Sequence, residues 1–446
     1  MSAGSPPSGR RSRRARDDGP PYNSALLHNW YDHPRALFCG GNDVKLLRGG
    51  NELFPAMCEA IAAARSEVWL ATYIFHDDDA GRLVADALIA AALRGVRVRV
   101  VVDGFGSKAS LPALYQWFAD AGVELSVFRP VRRWWSLLQP GQLRRLHQKI
   151  CVVDHGLGFV GGINVIDDCN DLNHGHSDQP RLDFAVAVRG PVVGPVQQTV
   201  SAIWTRATFG HDWPEEVRAL ARSSEPVTRV RDLLRRLRIT PPLKSQLACS
   251  DADRPMRAAF VVRDNLRQRR AIERSYIDAL RRARTRIDLV SPYFYPGHMF
   301  RRTLRDAARR GVQVRLLLQG KLDYRIAGLA AQVLYDELLR HGVHIHEYMP
   351  AFLHAKIALV DDDWATVGSS NIDPLSLLLN LEANVMVRDR DFTRELAAEF
   401  DAAIAVSREV QAVHVRGRGF WGALRRGFVA WGAHVYLRVA GITGRY

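Results

Sequence analysis

Hydrophobic positions along this chain follow two patterns in alternation. EVWLATYIF, VRVRVVVD, RIDLVS and VQVRLLLQ are short runs rich in β-branched and aliphatic residues, as in strands covered on both faces. Between them, GRLVADALIAAALRG and RRTLRDAARRG carry the spacing of amphipathic helices. The order itself repeats. A helix ending in Ala-Arg, a strand, a second helix, an Arg-Gly-Val turn and a second strand occur once around Arg94-Gly95-Val96 and again around Arg310-Gly311-Val312. The turn glycine suits a helix C-terminus, where the backbone must take φ > 0. Alternating strands and helices predict an α/β fold, with two homologous α/β/α sandwich lobes. The boundaries fall at 1–24 for a basic tail, 25–215 and 257–411 for the lobes, 216–256 for an Arg-rich linker containing Thr240-Pro241-Pro242, and 412–446 for a C-terminal segment.

Each repeat runs into one copy of the pattern H-x-K-x4-D-x6-G-[GS]-x-N. The first copy is His147, Lys149, Asp154, Gly161-Gly162 and Asn164. The second is His354, Lys356, Asp361, Gly368-Ser369 and Asn371. The ICVV and IALV runs inside the copies read as strands, so His and Lys, two apart, project from one face into one pocket. The glycines let backbone approach a phosphate, while Asn164, Asn371 and the Ser369 hydroxyl offer donors. Two lobes then surround one phosphate with two His, two Lys and two Asn. Lysine and amide groups can stabilise charge on non-bridging oxygens. One neutral imidazole can attack phosphorus, and the other can donate and accept the proton. This chemistry calls for no cofactor and no metal. Asp154 and Asp361 belong to the motif but sit at the far strand end, which favours ion pairs or caps. Asp183, after the first motif, and Glu382, after the second, open apolar runs and are candidates to orient the imidazoles.

Composition changes the picture only at the level of partners. The net charge of +15, from 62 Lys+Arg against 47 Asp+Glu, favours an anionic partner, nucleic acid or an acidic membrane face. Five scattered cysteines without a C-x-x-C argue against a disulfide framework or zinc site. His174 and His176 lack a third ligand at usable spacing and read as loop. The start has no apolar core of a secretory signal, and no stretch has the length of a membrane-spanning helix.

The paired motif resembles that of the phospholipase D superfamily, over about residues 36–410. GGNDVKLLRGGNELFPAMCEAI, SPYFYPG and VGSSNIDPLSLLLNLEANV resemble bacterial cardiolipin synthases of the B type. The resemblance implies transfer of a phosphatidyl group to an enzyme histidine and then to phosphatidylglycerol, releasing glycerol and giving cardiolipin. It assigns His147 as nucleophile and His354 as acid/base, a symmetry the residues alone leave open. Two positions depart from the family pattern: Gly162 where the second copy has Ser369, and Leu146 with Gln148 around the first histidine, which bears on the pocket rim.

A lipid enzyme must reach a bilayer. Trp134, Trp135, Leu137 and Leu138 between Arg132, Arg133, Arg144 and Arg145 suit a membrane interface. So does the stripe Phe420, Leu424, Phe428, Trp431, Val435 and Val439, flanked by Arg418, Arg425 and Arg426. Either segment can equally fold onto the core. The expectation is a peripheral enzyme on the cytoplasmic face of the cell membrane, acting on anionic phospholipid and not nucleic acid, for which a monomer suffices. A phospholipase D-type hydrolase, a nuclease and an inactive scaffold remain as alternatives.

Overall fold

The computed structural model describes residues 31, 35–131, 144–172, 175–221, 256–264, 267–320, 334–373, 376–377 and 380–411, without side chains for 209–221. The segments 132–143 and 412–446, where most of the interfacial residues were expected, and the basic tail lie outside the described residues.

The first half runs β1 (Cys39–Arg48), α1 (Gly49–Ala62), β2 (Glu67–Thr72), α2 (Asp79–Leu93), β3 (Arg97–Asp103), α3 (Leu111–Phe118) and β4 (Glu124–Phe128). It continues through β5 (Ile150–Val153), β6 (Leu157–Gly161), the short pair β7 (Asn170–Asp171) and β8 (Gly175–His176), β9 (Phe184–Arg189) and α4 (Val193–Ala221). The second half repeats the plan with β10 (Met256–Arg263), α5 (Ala271–Arg282), β11 (Arg286–Ser291), α6 (His298–Arg309), β12 (Gln313–Gln319) and β13 (Val343–Tyr348). It ends with β14 (Ile357–Val360), β15 (Trp364–Gly368), β16 (Glu382–Arg388), α7 (Arg390–Ala405) and β17 (Ser407–Glu409). Helix α4 carries six residues past the expected lobe boundary, and β10 begins at the last residue of the expected linker.

Hydrogen-bonded neighbours run β17-β13-β12-β11-β14-β15-β16-β10-β1-β9-β6-β5-β2-β3-β4. In each half three strands are parallel, β2-β3-β4 and β11-β12-β13, and the motif strand pairs antiparallel with the first of them. The halves join where β1 meets β10. One core, with Val44, Leu46, Val152, Val186, Phe260, Ile357 and Val385, draws on both halves and takes in the apolar sides of α4 and α7. A separate core lies under α1–α3 and another under α5 and α6. Each buried Val, Leu or Phe contributes about 1.5–3 kcal/mol, so the shared core binds the lobes tightly.

The repeated Arg-Gly-Val turn does two jobs. Gly95 and Gly311 adopt φ of 88° and 87°. The Arg94 guanidinium donates to the Ile61 and Ala62 carbonyls at 3.0 and 2.9 Å, and Arg310 likewise reaches Leu280, Arg281 and Ala283. Each arginine thus supplies donors to the end of the preceding helix, where the carbonyls lack intrahelical partners.

Candidate active site

The strands β5 and β14 begin at the junction of the lobes, and the residues leading into them cross it. The His147 N–H donates to the Leu381 carbonyl at 3.0 Å, and Leu381 N–H to the Arg145 carbonyl at 2.8 Å. In mirror fashion, the His354 N–H donates to Leu182 at 2.9 Å and Leu182 N–H to Phe352 at 3.0 Å. Each motif is therefore stitched to the segment that opens β9 or β16 of the opposite lobe.

The same crossing governs the carboxylates. His147 Nδ1 lies 3.0 Å from Glu382 Oε2, and His354 Nδ1 lies 2.6 Å from Asp183 Oδ2. Reading along the chain suggested each carboxylate for the histidine it follows; the structure pairs each with the histidine of the other lobe. With Nδ1 engaged, Nε2 is the nitrogen each ring can offer. His354 is the more open ring, its side chain 23% exposed against 12% for His147. Lys149 Nζ donates to the His147 carbonyl at 2.7 Å and lies 5.5 Å from the Tyr73 ring centre, and Lys356 Nζ donates to the His354 carbonyl.

Other motif residues take different positions from those expected. Asp154 accepts from the N–H groups of Arg65, Ser66 and Glu67 and from the Ser66 hydroxyl, at 2.6–2.9 Å. Asp361 does the same for Arg284, Thr285 and Arg286. Both occupy positive φ, 48° and 52°, just past the strand end remote from the histidines. They are pins for the turn entering β2 or β11, so the catalytic grouping is corrected to a structural one. Ser369 is turned from its expected task too: its hydroxyl donates to Glu382 Oε2 at 2.6 Å and accepts from Ala383 N–H at 3.0 Å, so its proton is committed to a carboxylate and not free for phosphate. Asn164 Oδ1 accepts from Ile74 N–H at 3.2 Å, whereas Asn371 Oδ1 has no partner among the described residues. Leu146 and Gln148, expected at the rim, are buried; Gln148 donates to the Glu382 carbonyl at 2.8 Å.

Burial dominates the electrostatics. It raises Asp183 to about 7 against the pull of Lys356, and lowers Lys149 to about 8 and Lys356 to about 7. His354 lies well below its ordinary value, through burial and then Lys356; burial lowers His147 as well, with Glu382 opposing. Glu382 goes the other way. Burial raises it, but the His147 ring, Lys149 and the Ser369 hydroxyl outweigh that and hold it below the usual carboxylate value. Two lysines face two carboxylates, so the imidazoles rest neutral. A bound phosphodiester adds a negative charge and allows one imidazole to carry a proton.

Sequence reasoning missed several neighbours. Tyr73 packs 5.1 Å from His147, centre to centre. Asp103, fully buried, accepts Leu146 N–H at 2.9 Å and pairs with Arg145 at 3.8 Å. Arg181 reaches Asn170 and Asp171 and lowers the proton affinity of His354. None of these lies within the motif spacing; the signal available was a polar residue at a strand's C-terminal end. Among the described residues no group of three or more His, Cys, Asp or Glu is arranged to hold a metal, and no helix is long and apolar enough to cross a membrane.

Two half-sites, each a histidine and lysine on a strand and a carboxylate from across the junction, define a two-lobed phospholipase D-like protein. The profile of the family described as "Cardiolipin synthase, PLD-like domain" matches residues 57–176 and 276–404, and the chain belongs to that family. It is 37% identical over 372 residues to Cardiolipin synthase B of Salmonella typhimurium, covering 80% of each chain. It is 34% identical over 392 residues to Cardiolipin synthase B of Escherichia coli K12, covering 85% of each. A crystal structure of phosphatidylserine synthase from Haemophilus influenzae shares the fold, with a TM-score of 0.62 at 13% identity, over 94% of this chain and 99% of that one.

Proposed function

We propose that this chain is a cardiolipin synthase that transfers a phosphatidyl group between two phosphatidylglycerol molecules through a phosphohistidine. The observation that carries the mechanism is the crossed pair of histidines, each with Nδ1 on a buried carboxylate. His147 Nε2 attacks phosphorus; the bond from phosphorus to the glycerol oxygen breaks, and His354 Nε2 gives that oxygen its proton. Free glycerol leaves. The hydroxyl of the second phosphatidylglycerol then passes its proton to His354 and attacks phosphorus, breaking the phosphorus–nitrogen bond and restoring His147. His147 suits the nucleophile because Glu382, held ionised by Ser369 and Lys149, stabilises the cation that its ring becomes. Lys149, Lys356 and the amides of Asn164 and Asn371 hold the non-bridging oxygens. The curated relatives' names support the substrate class, and the charge of +15 supports work at an anionic membrane surface, where we place the enzyme peripherally, on the cytoplasmic face.

The test is a product profile. Purified protein with phosphatidylglycerol vesicles should yield cardiolipin and glycerol in equal amounts. Phosphatidic acid as the sole lipid product would make the enzyme a hydrolase.

A further inference from the structure

The two half-sites match position for position, which makes their unlike neighbours conspicuous. Gly104 N–H bonds to Phe128 as Gly320 N–H does to Tyr348, and Leu146 N–H bonds to Asp103 as Leu353 N–H does to Gln319. These bonds equate Arg129 with Met349, Arg144 with Ala351, Arg145 with Phe352 and Asp103 with Gln319. The strand registers equate Arg263 with Gly49. Beside His147 stand arginines; at every corresponding position of the other half stands an uncharged residue.

These arginines form one group. Arg129 donates to the Arg144 carbonyl and Arg145 to the Arg129 carbonyl, both at 3.2 Å. Arg263 pairs in register with Glu382, the partner of His147, and its guanidinium reaches the Asn380 carbonyl. Their ionic compensation is thin. Asp103 meets Arg145 at 3.8 Å, while Arg144 Nε, Arg145 Nη2 and Arg263 Nε are buried donors with no hydrogen-bond partner. Arg145 is itself 8% exposed and Arg263 2%. Buried cationic donors left unpaired are costly, and an anion with several oxygens relieves the cost. Burial and mutual repulsion with Arg144 and Arg145 lower Arg129 to about 10, and burial, with repulsion from Arg144, lowers Arg263 to about 10. Both shifts are in the direction that a bound anion would reverse.

We propose that Arg129, Arg144, Arg145 and Arg263 line a second anion subsite beside His147, which takes the phosphodiester of the acceptor lipid. The inference rests on the phosphatidyl-transfer reading and adds to it. The phosphate under attack sits between the histidines. The acceptor brings a second phosphate, joined to the reacting hydroxyl by a short glycerol, and that charge needs its own partners. An acceptor without a phosphate has no use for the subsite.

The experiment compares three acceptors with the full-length protein and phosphatidylglycerol vesicles as donor: phosphatidylglycerol itself, soluble glycerophosphoglycerol, and ethanol, which gives phosphatidylethanol. Arg144→Gln is the mildest variant and Arg263→Gln the deepest; Arg145→Lys keeps the charge. In the Gln variants the apparent KM for both phosphate-bearing acceptors should rise about tenfold, the loss of one charge-assisted contact, with phosphatidylethanol formation within about twofold of wild type. Arg145→Lys should fall between. Loss confined to the vesicle-borne acceptor would mean that the arginines serve membrane attachment and would overturn the subsite. Parallel loss for all three acceptors, or for none, would overturn it as well. Failure of the wild type to make either cardiolipin or phosphatidylethanol would instead sink the transferase reading beneath it.

Discussion

The half-sites around His147 and His354 share backbone, strand register and motif, yet their carboxylates sit in different company. Gly162 and Ser369 are equivalent: their N–H groups bond to Phe184 and Ala383, the residues after Asp183 and Glu382. A Cβ on Gly162 would collide with Oδ1 of Asp183 and lie 2.9 Å from Oδ2. Ser369 instead lends its hydroxyl to the longer Glu382. A short carboxylate goes with no side chain, and a long one with a donor. The difference teaches that near-twofold symmetry of catalytic groups can coexist with unequal tuning of the two rings.

Four changes would break or sharpen that contrast. The largest effect belongs to the histidines. His147→Ala and His354→Ala should each lower cardiolipin formation by ~10³-fold or more. Only the His354 variant should still form a trappable phosphoenzyme from a donor with a good leaving group, and the opposite result would exchange the roles. Next comes the size match. Gly162→Ser should force the Asp183 carboxylate from His354 and cut turnover about a hundredfold, in line with overpacking of 1–3 kcal/mol. Adding Asp183→Glu should recover much of it, and Ser369→Ala should cost about tenfold through one charged hydrogen bond. A double variant no better than Gly162→Ser would dismiss the matched pairs.

The pH profile gives a smaller effect. Burial holds Lys356 near 7 and Lys149 near 8. Lysine charge that binds the phosphate is present below those values and lost above them, so kcat/KM should fall as pH rises through about 7 to 8. The acid limb should lie below 6.5, because both imidazoles bind protons more weakly than usual. Lys356→Arg should move the alkaline limb upward, and an unmoved limb would detach it from this lysine. Smallest for activity are Asp154→Asn and Asp361→Asn. Each should leave turnover per folded molecule nearly unchanged while lowering stability by about 1–3 kcal/mol in urea unfolding, through lost backbone acceptors.

Much of this was legible along the chain. The repeated strand–helix pattern and the twin motifs follow from local sequence, because strand period and helix period are local properties. The partnership of Glu382 with His147 is not local: it depends on two lobes meeting face to face, and sequence order points to the nearer histidine. Asp154 and Asp361 share the motif because each pins the far end of a strand whose near end holds the histidine, so coincidence in spacing does not mean coincidence in role. The arginine group draws on β4, on the approach to β5 and on β10, three stretches that only the fold brings together.

The crossed carboxylates also bear on ancestry. A single lobe paired with a copy of itself would reproduce the crossing by twofold symmetry, since each copy would lend its carboxylate to the other. In such a dimer every substitution appears twice: a glycine suited to one aspartate is imposed on both halves, and an arginine placed beside one histidine is placed beside the other. Joining the copies in one chain removed that constraint. Fusion is what allowed one half to specialise in bearing the covalent intermediate and the other in moving protons.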